Sequence, residues 1–419
     1  MVGTKGPKPG LLRRSADFRK LWAAGSISQL GTYVSNLAIP LFALLNLHAS
    51  VLQVALLTTL RTGAALVVGL PAGGLVDRLR SRPVMIAADL GRMVLFGSIP
   101  VAAALHVASI GQLYAVVFLG GMLTIFFDVA NQTHLPVLVG REDLIEGNAR
   151  LQINASVAAS LGPSVAGLLV QWFSAPFAVV LDALSYLASA IGIRAIRTPE
   201  PPRPSTQDRP PLRAEIVTGL RFVFGHKVIR PIAGYLFTEA FFQGAGFTGL
   251  LTVFLVGPLR LTPGLIGLLG GVSMLGAVAG SLLATRVARL LGRARALLLS
   301  GLAMGVGALL VPLAQPGWLL ACYVVGNAIL GFSIILNIVT EVSIVQAACP
   351  DELRGRMSAT LRMMAYGGLP LGSLIGGVLG TALGVRPTIW GAAVGMLLSA
   401  LWLIGPTRTV DTLGSDAVY

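Results

Sequence analysis

The sequence predicts an all-α membrane protein of twelve transmembrane helices in two pseudo-symmetric six-helix bundles. Three observations predict it. Only 11% of the 419 residues are charged, against 55% hydrophobic, and mean hydropathy is +0.81. Soluble domains carry about 25% charged residues, so a chain this poor in charge must cover its surface with lipid. Twelve apolar runs follow one another, each near the ~20 residues needed to cross a bilayer core. The second half of the chain also repeats landmarks of the first.

The first six runs lie near residues 21–45, 51–76, 84–106, 112–135, 150–173 and 176–195, and the last six near 232–256, 263–284, 296–314, 317–346, 358–382 and 387–405. Between the sets, 198–211 is polar and proline-rich, which excludes a buried helix. Residues 213–227 mix Ile216, Leu220, Phe222 and Phe224 with Arg213, Arg221 and Lys227, a pattern for a helix lying on the membrane surface. The expected organisation is a cytoplasmic segment 1–20, an N-terminal bundle 21–197, a linker 198–230, a C-terminal bundle 231–405 and a tail 406–419. The first run lacks a small-residue cleavage site, so no cleaved signal peptide is expected.

Basic residues fix the orientation. Lys5 to Lys20, Arg78, Arg80, Arg82, Arg141, Arg150, the linker, Arg286 to Arg295, Arg354, Arg356, Arg362 and Arg408 fall on one side. The opposite loops hold only Arg260 and Arg386. The basic side is therefore expected in the cytoplasm, with both termini, in a cell (inner) membrane. The net charge of +14 is topological: the basic residues sit in short loops without interleaved aromatics, so no nucleic acid partner is expected.

Two segment pairs repeat. Gly73-Gly-Leu-Val-Asp-Arg ends the second run and Gly280-Ser-Leu-Leu-Ala-Thr-Arg the eighth; Gly162 and Gly372 begin similar glycine-containing stretches in the fifth and eleventh. The separations, 207 from Gly73 to Gly280 and 210 from Gly162 to Gly372, are each about half the chain. Parallel six-helix repeats joined by a linker are a transporter architecture.

At Gly73, Asp77, Arg78 and Arg82 the sequence resembles the major facilitator superfamily, whose turn between helices two and three carries Gly, Asp, Arg and a further basic residue. Arg80 and Ser81 depart from that pattern, and the second copy lacks the acid, having Ala284. Asp89-Leu-Gly-Arg92, Phe127-Asp-Val-Ala-Asn-Gln132 with the 141–148 segment, and Pro350-Asp-Glu-Leu-Arg-Gly-Arg356 resemble the branch of enterobactin exporters and macrolide efflux pumps. Gly162, Pro163 and Gly167 resemble the antiporter signature of helix five, with Ala166 replacing one glycine. The resemblance implies the two-bundle fold, alternating access, and proton-driven export of small amphipathic molecules such as drugs, natural products or siderophores. It also implies a gating role for the Asp77 turn together with Asp89 and Arg92.

Charges inside the bilayer cost roughly 2.5–3.5 kcal/mol each on insertion scales, so they should be paired or functional. Asp89 and Arg92 are three apart and can pair on one helix face; Asp182, in the peripheral sixth span of the resembled fold, reads as structural. Arg61, Asp128, Glu239 and Glu341 lie in spans that line the central cavity of that fold. Polar stripes at helical spacing accompany them: Gln29, Tyr33 and Asn36; Arg61 beside Thr58 and Thr62; Asp128 with Asn131 and Gln132; Tyr235, Glu239 and Gln243; Asn337 and Glu341 with Ser333. A single polar residue reads as interhelical glue; aligned stripes read as the walls of a hydrated chamber. Asp128 and Glu341, 213 apart, could face each other across the pseudo-twofold axis. Desolvation favours the neutral form of a carboxylate, so Asp128, Glu239 and Glu341 are the candidate proton carriers. Arg61 is a counter-ion or a contact for an anionic substrate.

The partners expected are a small-molecule substrate, the lipid bilayer and protons, in a monomer without cofactor or metal. The four histidines are scattered, and Cys322 and Cys349 bracket one span, beyond disulfide reach. No phosphate-binding loop or zinc-helix motif occurs, so an enzyme is not expected. A lysophospholipid transporter and a transport-inactive receptor or scaffold are the alternatives; the latter calls for long soluble domains, which this sequence lacks.

Overall fold

A computed structural model describes residues 10–76, 79–140, 142–200, 220–348 and 354–405. Asp77, Arg78, Arg141, Cys349, residues 350–353, most of the linker and both chain ends lie outside the described residues; Gly73 lies in described helical backbone. The chain is all α-helical among the described residues. The first six long helices are α1 (Ala16–Leu45), α2 (Val51–Val76), α3 (Ser81–Ala104), α4 (Ile110–Val139), α5 (Leu144–Trp172) and α6 (Ala175–Arg194). Residues 220–225 form a short helical stretch. Then follow α7 (Ile229–Val256), α8 (Pro263–Leu291), α9 (Arg293–Leu313), α10 (Leu320–Ala348), α11 (Arg354–Ala382) and α12 (Val385–Ser399).

Eleven of these are long and apolar enough to cross a membrane. The twelfth has 15 α-helical residues, continued by a 3-10 turn at Ala400–Leu403. At about 1.5 Å per α residue and 2 Å per 3-10 residue it still approaches the ~30 Å core thickness. Outward faces are apolar: Val94 is 64% exposed, Leu275 64% and Leu282 73%, as lipid-facing side chains should be.

Local chemistry sets the helix ends. Ser109 and Ser174 accept hydrogen bonds from the amides of Gln112 and Phe177, capping α4 and α6. Gly140, Gly292 and Gly384 adopt φ of 73°, 81° and 93° at the breaks after α4, before α9 and before α12, backbone that glycine enters without strain. Helix α7 is not uniform: Gln243–Thr248 forms a π-helical turn between its two α segments.

The chain forms two compact units. The first comprises the described residues of Met1–Ile39 and Val67–Thr206, and the second those of Pro40–Leu66 and Gln207–Tyr419. In the first, Asn154 Nδ2 on α5 donates to the Trp22 carbonyl (3.1 Å) and to Ser26 on α1. Gly162 lets the same two helices close up: a Cβ there would sit 2.3 Å from the Tyr33 Cβ. Phe18, Leu21, Met85, Phe127 and Ile193 form a buried core in this unit.

In the second unit α7 and α11 meet backbone to backbone. A Cβ on Gly372 would lie 1.8 Å from the Phe241 carbonyl oxygen, and one on Gly376 2.1 Å from that of Ala245. Small residues permit such approach where lipid supplies no hydrophobic drive. The hairpin formed by the end of α1 and the start of α2 belongs here. Ser373 Oγ on α11 donates to the Ala55 carbonyl (3.0 Å) and Thr58 Oγ1 to that of Thr248 (3.4 Å).

Candidate functional site: two clusters of buried polar groups

In the first unit, α3 and α6 pack along their length, and α3 carries Asp89 and Arg92 one turn apart. Both are buried, Asp89 at 0% and Arg92 at 2% exposure, and they form an ion pair. The guanidinium is held between two rings, 4.6 Å from the centroid of Phe127 on α4 and 4.4 Å from that of Tyr186 on α6. Such stacking suits the flat, weakly hydrated arginine head better than a lysine. Asp128 and Asp182 also lie within electrostatic reach of Arg92. Asp128 is exposed, while Asp182 is fully buried. Three carboxylates thus surround one permanent cation.

Gln29, Tyr33 and Asn36 on α1 and Asn131 on α4 are half-buried, whereas Gln132 is exposed beside Asp128. The Gln29 and Asn131 side-chain oxygens are buried without a hydrogen-bond partner. Gly162 and Gly167 are buried on α5, with Pro163 inside the helix.

In the second unit, α7, α9 and α10 bring together Tyr235, Glu239, Asn337 and Glu341. Asn337 Nδ2 donates to Tyr235 Oη (2.9 Å) and Ser300 Oγ (3.2 Å), and Tyr235 Oη lies 3.7 Å from Met304 Sδ. Tyr235 and Asn337 are buried in this network, at 1% and 6% exposure. One turn along, Glu239 and Glu341 are half-buried and within electrostatic reach of each other and of Tyr235. Glu239 Oε1 is buried and makes no hydrogen bond. Among the described residues no cation pairs with either carboxylate. Arg61 on α2 and Gln243 on α7, also of this unit, are half-buried.

A third cluster joins the start of the linker to the first unit. Asp17 Oδ2 accepts from the amides of Arg197 (3.0 Å) and Thr198 (2.9 Å) and from Thr198 Oγ1 (2.8 Å). Glu200 Oε1 accepts from the Arg82 amide at 2.7 Å and lies 3.0 Å from Nδ1 of the buried His134. The Arg82 side chain donates to the Ile193 carbonyl (3.1 Å) and to that of Arg194, placing a cation at the negative end of α6.

Sequence reasoning missed Tyr186, Ser300 and the His134–Glu200 pair and set Asp182 aside. Tyr186 sits four residues after Asp182 on the same helix face, a signal that was present. Glu200 lies in a segment whose composition signals only a linker.

Solved structures share this architecture. The nucleoside transporter NupG superposes with a TM-score of 0.77 at 12% identity, covering 94% of this chain and 99% of that one. A bacterial homologue of the iron transporter ferroportin gives 0.72 at 15% identity, covering 95% and 100%. The fold is that of these transporters, with eleven helices among the described residues long and apolar enough to cross a membrane.

The family model described as transmembrane secretion effector matches residues 12–413, and the chain belongs to that family. Among its relatives are the multidrug efflux pump Tap of Mycolicibacterium fortuitum, 28% identical over 88% of this chain and 90% of the pump. The enterobactin exporter EntS of Escherichia coli is 25% identical over 94% of this chain and 92% of the exporter.

Proposed function

We propose that the protein is a proton-coupled exporter of a small amphipathic molecule, working by alternating access between an N-terminal bundle (21–197) and a C-terminal bundle (231–405) in the cell inner membrane, with both termini cytoplasmic. The carrying observation is the Glu239–Glu341 pair: two neighbouring half-buried carboxylates with no cation at hand among the described residues. Two like charges in a low-dielectric site cannot both stay ionised without compensation. A proton supplies that compensation, and so does a positive group on a substrate, so one pair can exchange the two. Asp128, exposed on α4, is the carrier in the first unit. The efflux functions in the names of the Tap and EntS relatives support export as the direction.

In this reading Gln29, Tyr33, Asn36, Arg61, Asn131, Gln132 and Gln243 line the substrate path, and the turn at Gly73, Asp77, Arg78 and Arg82 gates it. The test is transport of an amphipathic fluorescent dye in proteoliposomes under an imposed pH gradient. Wild type should couple dye movement to proton counterflow, and Asp128→Asn and Glu239→Gln should lose the gradient dependence. Full pH-driven activity in both variants ends the proton-carrier assignment.

A further inference from the structure

Asp182 is the buried acid that this mechanism does not use. Its residue is 0% exposed. Oδ1 accepts one hydrogen bond, from Ser185 Oγ at 3.2 Å, whereas Oδ2 is buried and makes none. Gly31 of α1 presses on the group: a Cβ there would lie 2.5 Å from Asp182 Oδ1 and 2.3 Å from Ser185 Oγ. An ionised carboxylate in such a place would have no water, and only the hydroxyls of Ser35, Ser185 and Tyr186 and the charge of Arg92 to offset its burial.

The surrounding charges sharpen the point. Asp182 lies within electrostatic reach of Arg92 on α3 and of Tyr186 on its own helix, and Asp89 lies within reach of the same Tyr186. Helix α1 brings Gly31 and Ser35 to Asp182 and Thr32 to Tyr186, and α4 brings Asp128 to Arg92. The charged residues of α5 are Glu146 and Arg150 in its first two turns, where Glu146 binds the Leu11 amide (2.9 Å). One guanidinium, always protonated, therefore answers for three carboxylates, and its contact is with Asp89.

We propose that Asp182 is a proton-binding site in the first unit, neutral while Arg92 is paired with Asp89 and ionised when Arg92 turns to it. Asp128, on α4, competes for the same guanidinium. A proton or a positive substrate group at Asp128 removes one of the charges that draw Arg92 away from Asp182, so Arg92 can turn to Asp182, which then gives up its proton. The proton leaves toward the hydroxyls of Tyr186 and Thr32, which are 3.0 Å apart and join α6 to α1. Arg92 thereby links occupancy of the exposed acid to the packing of α1, α3 and α6. This rests on the proton-coupled reading for its role in transport, but the site itself does not.

The experiment is infrared difference spectroscopy of the purified protein in nanodiscs at neutral pH, following the C=O stretch of protonated carboxyl groups. Part of that band should vanish in Asp182→Asn. It should also vanish in Asp89→Asn, because Arg92 then pairs with Asp182, an effect that loss of a merely structural contact would not produce. Arg92→Gln should enlarge the band, since Asp89 must then take a proton as well. If Asp182→Asn does not fold, the Asp89→Asn and Arg92→Gln arms decide. A band unchanged in every folded variant overturns the proposal. Dye transport by Asp128→Asn and Glu239→Gln tests the carrier assignment separately, so either idea can fall alone.

Discussion

The two units handle buried acids in opposite ways. In the first, Asp89, Asp128 and Asp182 gather round Arg92, which is clamped between Phe127 and Tyr186. In the second, Glu239 and Glu341 face one another with a neutral network of Tyr235, Asn337 and Ser300 beside them. In the first unit the charge of the acids is met by a cation of the protein itself. Among the described residues no cation pairs with those two acids, and in the proposed mechanism a proton or a positive substrate group compensates them. Pseudo-symmetry of fold therefore does not extend to symmetry of electrostatics.

The strongest challenge to this contrast is removal of the first unit's cation. Arg92→Leu leaves buried carboxylates uncompensated and should cost about 3–5 kcal/mol, seen as a large fall in the unfolding temperature in detergent. The matching change in the second unit, Glu239→Gln with Glu341→Gln, should abolish gradient-driven dye transport while leaving the unfolding temperature near wild type. Equal destabilisation by both would erase the distinction. Gly372→Ala probes the second unit's backbone contact. Its methyl would collide with the Phe241 carbonyl at 1.8 Å, and overpacking of that kind costs about 1–3 kcal/mol. Tyr235→Phe removes one acceptor from Asn337 and should cost about 1 kcal/mol, with transport retained. Smallest is Glu200→Gln: the side-chain amide oxygen can still accept from the Arg82 amide, so the change should show only as faster proteolysis at the start of the linker.

The helices were legible because hydropathy and helix period are local properties. So was the Asp89–Arg92 pair, since three residues on one helix share a face wherever the helix goes. The closeness of Glu239 and Glu341 was not legible, because nothing in either helix alone points at the other. Asp182 was read as structural for a related reason. Its span looked peripheral, and only the packing of α3 against α6 brings Arg92 to it. The His134–Glu200 contact was beyond reach, since Glu200 is held by the Arg82 amide and a backbone partner leaves no mark on composition.

The π turn at Gln243–Thr248 alters the arithmetic of α7. Tyr235, Glu239 and Gln243 step by four, and an uninterrupted helix would carry that row on to Phe247. The wider turn inserts one extra position, so Thr248 takes that place and Phe247 is turned inward, at 9% exposure. One residue corresponds to about 100° of rotation. Deleting a single residue within Gln243–Thr248 would therefore swing everything beyond it around the helix axis, taking the Thr248 carbonyl away from Thr58. The polar row of α7 is thus drawn by a miscount in the helix as much as by the residues that compose it.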